Sequence, residues 1–323
     1  MYLNRRSVMT GLAAGVLPSR ALAQQANGAP VRIVFPFAAG GAGDALCRLT
    51  AEALTGPLGR AVIVENRTGA DGRIGIQAVK AAAPDGATLL VTTGPTMALM
   101  PQTHRAPGYD PVADFSPIAT LARFEFCVAV ANTINVKSMA ELVAWMKANP
   151  EKATYGLPGL GTIPHFAGVA LGKLAGVDLR RLPYRGGVPA MNDLVGGQIP
   201  IVIGTLTDAL QQHQAGTVRM LATLGAARSP FVPDVPTLKE SGYDITGDAW
   251  YGLWGPAGMA PGYVKRIADT VAAMLAVTEI SAKLMTLGMI AMPGSPDDLE
   301  RARRGLADNW APTIRESGFT MEQ

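Results

Sequence analysis

Two short glycine-rich turns, each placed where a strand gives way to a helix, are the segments of this chain best suited to chemistry. The first is residues 37–44 (FAAGGAGD) and the second is residues 159–165 (GLGTIPH). Glycine lets the backbone adopt positive φ and approach a bound molecule closely. The first N–H groups of a helix have no intrahelical acceptor and carry partial positive charge, so they bind anions. Pro164 suits the first helical position because it has no N–H to lose there. Asp44 or Thr162 would serve as a helix N-cap. Either turn alone also reads as a tight connection in which Asp44 or Thr162 does no more than cap. Two such turns, one from each half of the chain, would grip a carboxylated molecule through neutral backbone donors.

Other chemistries fit less well. Gly41-x-Gly43 before a helix, with Glu65 ending the next strand, imitates a dinucleotide fingerprint, but Leu46 occupies the third glycine position. There is no GxSxG elbow and no HExxH. Thr162 and His165 supply a hydroxyl and an imidazole in one turn, and a histidine so close to a helix start commonly serves as a structural hydrogen-bonder. Its ring could also touch a ligand carboxylate. His104, His165 and His213 are too widely spaced for a histidine zinc site, and two cysteines give neither a CxxC pair nor a disulfide framework. Cys47 and Cys127 read as buried thiols whose pairing stays open. Trp250 and Trp254 share one face of a strand, where core packing is the expected role.

The elements that position the turns follow an α/β pattern. Strands are expected at 31–35, 61–65 and 88–92, with helices at 44–58 and 74–83 between them. The pattern resumes with strands at 126–130, from 153, at 182–184 and at 199–203. Helices fall at 139–148, 164–174 and 188–195. Ser138 and Glu141 form a capping box for the first of these. A strand at 218–223, a long proline-containing loop, a strand at 250–254 and helices at 262–276 and 296–317 complete the chain. No flexible polar linker divides the halves. Apolar stretches at 121–126 and 220–225 instead suggest two stiff crossings, and hence a hinged cleft.

The chain has 323 residues, 48% of them hydrophobic and 16% charged, which suits about two folded domains and not a disordered chain. Residues 1–23 read as an export signal: Arg5 and Arg6, an apolar stretch at 8–17, Pro18, then Ala21-Leu22-Ala23 as a small-x-small cleavage site. The arginine pair and Arg20 hint at the twin-arginine route, but the residues flanking the pair match that motif only in part, which leaves the general secretory route open as well. Removing 23 residues takes three of 28 basic residues and none of 25 acidic ones, leaving 25 of each. A charge balance of zero argues against a nucleic-acid partner.

Nine stretches, in order, resemble the Bug family of periplasmic solute receptors, the TctC-like receptors of tripartite tricarboxylate transporters. They are 32–44 (RIVFPFAAGGAGD), 64–72 (VENRTGADG), 83–90 (APDGATLL), 109–117 (YDPVADFSP) and 159–165 (GLGTIPH). Then come 182–187 (LPYRGG), 193–198 (DLVGGQ), 228–237 (RSPFVPDVPT) and 255–258 (GPAG). The resemblance implies an α/β, two-lobed periplasmic-binding-protein fold of the Venus-flytrap, type II-like kind, with an interlobe ligand cleft. It implies no enzymatic activity, no cofactor and no metal. It implies a small carboxylated ligand, often a dicarboxylate, membrane permease subunits as partners, a periplasmic location and a monomer. An exported sensor that presents an acid to a signalling partner is the alternative role.

The expected lobes are 24–124 with 226–323, and 125–225. Carried across by motif, the ligand site would comprise Phe37, Gly40, Gly41, Asp44, Thr93 and Gly94 from the first lobe. From the second it would take Gly161, Thr162, His165, Tyr184, Gly204 and Thr205. One departure stands out: Ile203-Gly204-Thr205 replaces a common Phe-Asp-Asn, which removes an acid and an amide from the expected pocket wall.

Overall fold

The computed structural model describes residues 28–321. The export-signal segment and its cleavage site lie outside the described residues. The first sheet gathers β1 (Val31–Phe35), β2 (Val62–Asn66), β3 (Thr88–Thr93), β4 (Phe115–Phe124), β10 (Ala249–Pro256) and β11 (Ile290–Gly294), in the order β11-β4-β10-β3-β1-β2. The second gathers β5 (Phe126–Ala131), β6 (Thr154–Leu157), β7 (Arg180–Pro183), β8 (Ile201–Thr205) and β9 (Val218–Thr223), in the order β7-β6-β8-β5-β9. In the first sheet β1 is parallel to β2 and β3, while β10 runs antiparallel to β3 and β4. In the second, β6 is parallel to β7 and β8, while β5 runs antiparallel to β8 and β9. Two mixed α/β sheets, each with its own helices, make the two-lobed arrangement expected of a type II-like Venus flytrap.

The helices are α1 (Ala42–Leu58), α2 (Arg73–Lys80), α3 (Gly94–Ala98), α4 (Met100–Thr103), α5 (Met139–Ala148), α6 (Ile163–Ala175), α7 (Gly187–Val195), α8 (Leu206–Gln214), α9 (Pro261–Leu275), α10 (Thr278–Thr286) and α11 (Pro296–Ser317). Two expected features differ. Asp44 does not cap α1: the N-cap is Gly41, and Asp44 sits inside the first turn. The Ser138 cap forms, with Glu141 N–H donating to Ser138 Oγ at 3.2 Å, but the Glu141 carboxylate takes the N–H of Lys137 and not that of the cap residue.

The chain passes between sheets at Glu125, between β4 and β5, and returns between β9 and β10. The stretch before the return differs from the sequence-based lobe boundary. Leu238 N–H donates to Thr223 O, Thr223 N–H donates to Pro236 O, and Val232 and Val235 pack with Met220 of β9. These residues therefore lie with the second sheet. Helix α11, 22 residues and about 33 Å long, ties the two cores together. Its Leu299 packs with Trp250 and Trp254, and its Leu306, Trp310 and Ile314 pack with Phe166 and its neighbours. The two tryptophans are core residues, 5% and 1% exposed, with ring centroids 6.0 Å apart. Cys47 and Cys127 are both buried and free.

Candidate functional site

Strand β1 stops at Pro36, and the chain turns through residues 37–41 into α1, with Gly40 at φ 90. No side chain caps α1. The Asp44 carboxylate, 4% exposed, instead reaches back under the turn and accepts from Gly40 N–H at 3.1 Å. It also accepts from Asn66 Nδ2 at 3.0 Å and from Arg48 Nε at 3.0 Å. Burial alone would raise its pKa, but the hydrogen bonds from Asn66, Gly40 and Arg48 outweigh that and hold it below the usual carboxylate range. Asp44 is thus an ionised brace beneath the first turn.

The second turn is built differently. Gly159 and Gly161 both take positive φ, at 156 and 71. Thr162 is the N-cap of α6: its Oγ1 donates to Gly159 O at 2.8 Å and accepts from His165 N–H at 3.4 Å. His165 is fully buried, and its Nδ1 accepts from Gly161 N–H at 3.2 Å. Burial first, then the charge of Arg181, depresses its pKa to about 4, so the ring is neutral and its proton sits on Nε2. His165 therefore shapes the turn from below.

Both turns open onto one cleft of about 600 Å³, within the range of small-molecule sites. Phe37 enters it from the first turn, Gly161 and Thr162 from the second, and Thr93 from the end of β3. Thr93 is the N-cap of α3, with its Oγ1 2.8 Å from Thr96 Oγ1. The other expected residues stand outside this lining. Gly40, Gly41 and Asp44 form the turn and brace behind Phe37, and Gly94 packs against Trp250, where a Cβ would lie 2.4 Å from the indole. Tyr184 donates to Asp193 Oδ2 at 2.7 Å; burial and then that carboxylate raise its pKa to about 12. Gly204 is buried in β8, and the Thr205 hydroxyl donates to Asp208 of α8. The departure at 203–205 therefore does not alter the wall of this cleft.

Sequence reasoning missed much of that wall. The loop between β2 and α2 contributes Thr68, Gly69, Asp71 and Gly72. Its strand–glycine–helix grammar repeats that of the other turns, with Gly72 as the uncapped N-cap of α2. Phe124 and Phe126 flank Glu125 at the crossing and face the cleft with Met100, His104 and Met321. Nothing in the local sequence signals their convergence, because strand pairing and the chain's return bring them together. Among the described residues no group of three or more acidic, histidine or cysteine side chains is placed to hold a metal, and no helix is long and apolar enough to cross a membrane.

A model of the tripartite tricarboxylate transporter family receptor matches residues 46–319. A UPF0065 protein from the gbd 5′ region of Cupriavidus necator is 38% identical over 80% of this chain and 78% of its own. Rpa4515 of R. palustris with adipate superposes with a TM-score of 0.80 at 30% identity, covering 90% of this chain and 98% of that one. The periplasmic binding protein BugD gives 0.77 at 32% identity, covering 91% and 99%.

Proposed function

The chain belongs to the tripartite tricarboxylate transporter receptor family, made of periplasmic solute-binding receptors and not enzymes, and on that premise we propose that it captures a small carboxylated organic acid between its lobes for a tripartite tricarboxylate-type permease. The observation that carries this reading is the convergence of two glycine-rich, helix-opening turns, one from each sheet, on a single cleft. Adipate in the similar Rpa4515 supports an acid as the guest. The acid docks on one lobe, and rotation about the crossings at Glu125 and ahead of β10 completes its contacts. Closure is stabilised only by the contacts the guest makes in the closed form and not in the open one. The site we assign comprises Phe37, Thr93, Gly161 and Thr162 at the cleft, with Gly40, Gly41, Asp44 and His165 shaping the turns. Export with cleavage after Ala23, by either route, and a monomeric receptor belong to the same reading.

The test is thermal shift and calorimetry with carboxylates, uncharged solutes and cations. Stabilisation by at least one carboxylate and by none of the others is expected. Stabilisation by sugars or amines alone would overturn the reading.

A further inference from the structure

Resting on the receptor reading, we propose that the guest is a monoanion with a flat apolar body, an aromatic carboxylate, and that Phe37, Phe124 and Phe126 select it.

The charge argument comes first. Among the described residues no lysine or arginine lines the cleft. Arg73, at the start of α2 beside it, spends its guanidinium on Ala70 O at 3.0 Å and Ala106 O at 3.3 Å, and Arg48 is paired with Asp44. The charged side chain that does border the cleft, Asp71, is negative. Positive potential comes from the starts of α6 at Thr162 and α2 at Gly72, each worth about half an elementary charge. Together they balance about one carboxylate. A second or third would be desolvated beside Asp71 or the rings without a countercharge, which is costly.

His104 points the same way. It lines the cleft, is 8% exposed, and its Nε2 has no partner among the described residues, while its Nδ1 lies 3.1 Å from Thr103 Oγ1. Burial first, then Arg73, lowers its pKa, so it meets a guest as a neutral hydrogen-bonding group and not as a cation for a second carboxylate.

The apolar argument is independent. Phe37 packs edge-on to Phe35 at 5.2 Å, Phe35 lies 6.2 Å from Tyr251, Tyr251 5.1 Å from Phe124, and Phe124 5.6 Å from Phe126. This arc runs from the first turn to the crossing and presents three phenyl rings to the cleft, with Met100 beside them. Rings at such spacings accept a further ring edge-on or offset. A compact hydroxy-acid would leave its polar groups facing them unpaired.

Calorimetry with benzoate, cyclohexanecarboxylate, adipate, malate and citrate tests this, on the wild type and on Phe37→Leu, which keeps an apolar side chain on an exposed loop but removes a ring. Benzoate is expected to bind at least tenfold more tightly than each of the others, and Phe37→Leu to erase most of that preference. Adipate, malate or citrate outbinding benzoate would overturn the aromatic assignment and leave the receptor reading standing. Equal binding of cyclohexanecarboxylate would overturn the requirement for a flat ring. An unchanged preference in Phe37→Leu would remove that residue from the selecting set. No response to any acid, here and in the wider carboxylate panel, would sink both.

Discussion

Asn66, at the end of β2, holds Asp44 of α1 and the first turn together with one amide group: its Nδ2 donates to Asp44 Oδ1 at 3.0 Å and to Phe37 O at 3.2 Å. The Asp44 carboxylate in turn holds Gly40 N–H. The turn that carries Phe37 into the cleft is therefore set by a polar network beneath it. Asn66→Ala leaves a buried carboxylate short of one donor, which costs about 1–3 kcal/mol. The expected outcome is that loss in denaturant unfolding, together with a roughly tenfold weaker affinity for the bound acid, about 1.4 kcal/mol. Unchanged affinity in a destabilised variant would remove the first turn from the site.

The two crossings between lobes share a strained charge balance. Arg123 Nη1 lies 3.6 Å from Glu125 Oε1 and 3.4 Å from Asp248 Oδ2, and neither oxygen of Glu125, 2% exposed, has a hydrogen-bond partner among the described residues. Burial first, then repulsion from Glu125, pushes the Asp248 pKa from 3.8 up to about 6 against the pull of Arg123. A raised folded-state pKa means that stability is greatest below about pH 4 and is lost as pH rises through about 6. A shift of about two units corresponds to about 3 kcal/mol. Asp248→Asn removes this charge. It should match the wild type near pH 4 and exceed it by about 1–3 kcal/mol at pH 8. A stability difference that stays flat across that range, measured by thermal denaturation, would rule the linkage out.

Local signals were legible and convergent ones were not. The extents of α5, α11 and β9 follow from capping, periodicity and breakers alone, as does the Thr162 cap of α6. Helices α8 and α10 carry little sequence signal because each buries at most two side chains, which leaves little apolar periodicity to read. The first half of β4 was hidden by Ser116 and Pro117, yet it pairs with β10 through bulges that accommodate the proline. Asp44 reads as a cap from its spacing. Its carboxylate instead accepts from Gly40 in the preceding turn, from Arg48 one helical turn on and from Asn66 of β2, and the last of these is a partnership that only the fold creates. Alternation puts the rings of 124 and 126 on one side of an extended chain, but Phe124 ends β4 in one sheet and Phe126 begins β5 in the other, so nothing local says that this side would be the cleft.

Gly41 and Gly94 should respond in opposite ways to added bulk. A Cβ on Gly41 meets nothing within 4 Å, and its φ of -85 suits any residue. A Cβ on Gly94 would lie 2.4 Å from the Trp250 ring. Gly41→Val is expected to change stability by less than about 1 kcal/mol while weakening acid binding, because its side chain crowds the turn that carries Phe37 into the cleft. Gly94→Ala is expected to cost about 1–3 kcal/mol by overpacking. Paired unfolding and binding curves separate the two. Full affinity in Gly41→Val would mean that the shape of the first turn does not set the site.

Thr162 combines both tasks, and two substitutions pull them apart. Thr162→Val keeps the shape but deletes the oxygen that accepts from His165 N–H and donates to Gly159 O. Loss of the cap costs about 1 kcal/mol. Loss of the bond to Gly159 releases the left-handed Gly159 and Gly161 positions that hold the second turn against the cleft. Affinity should therefore fall by more than the lost stability accounts for, and Thr162→Ser, which restores the hydroxyl, should recover most of both. If Thr162→Val lowers the melting temperature while the acid binds as before, the second turn supports α6 without touching the guest, and the grip must come from the first lobe.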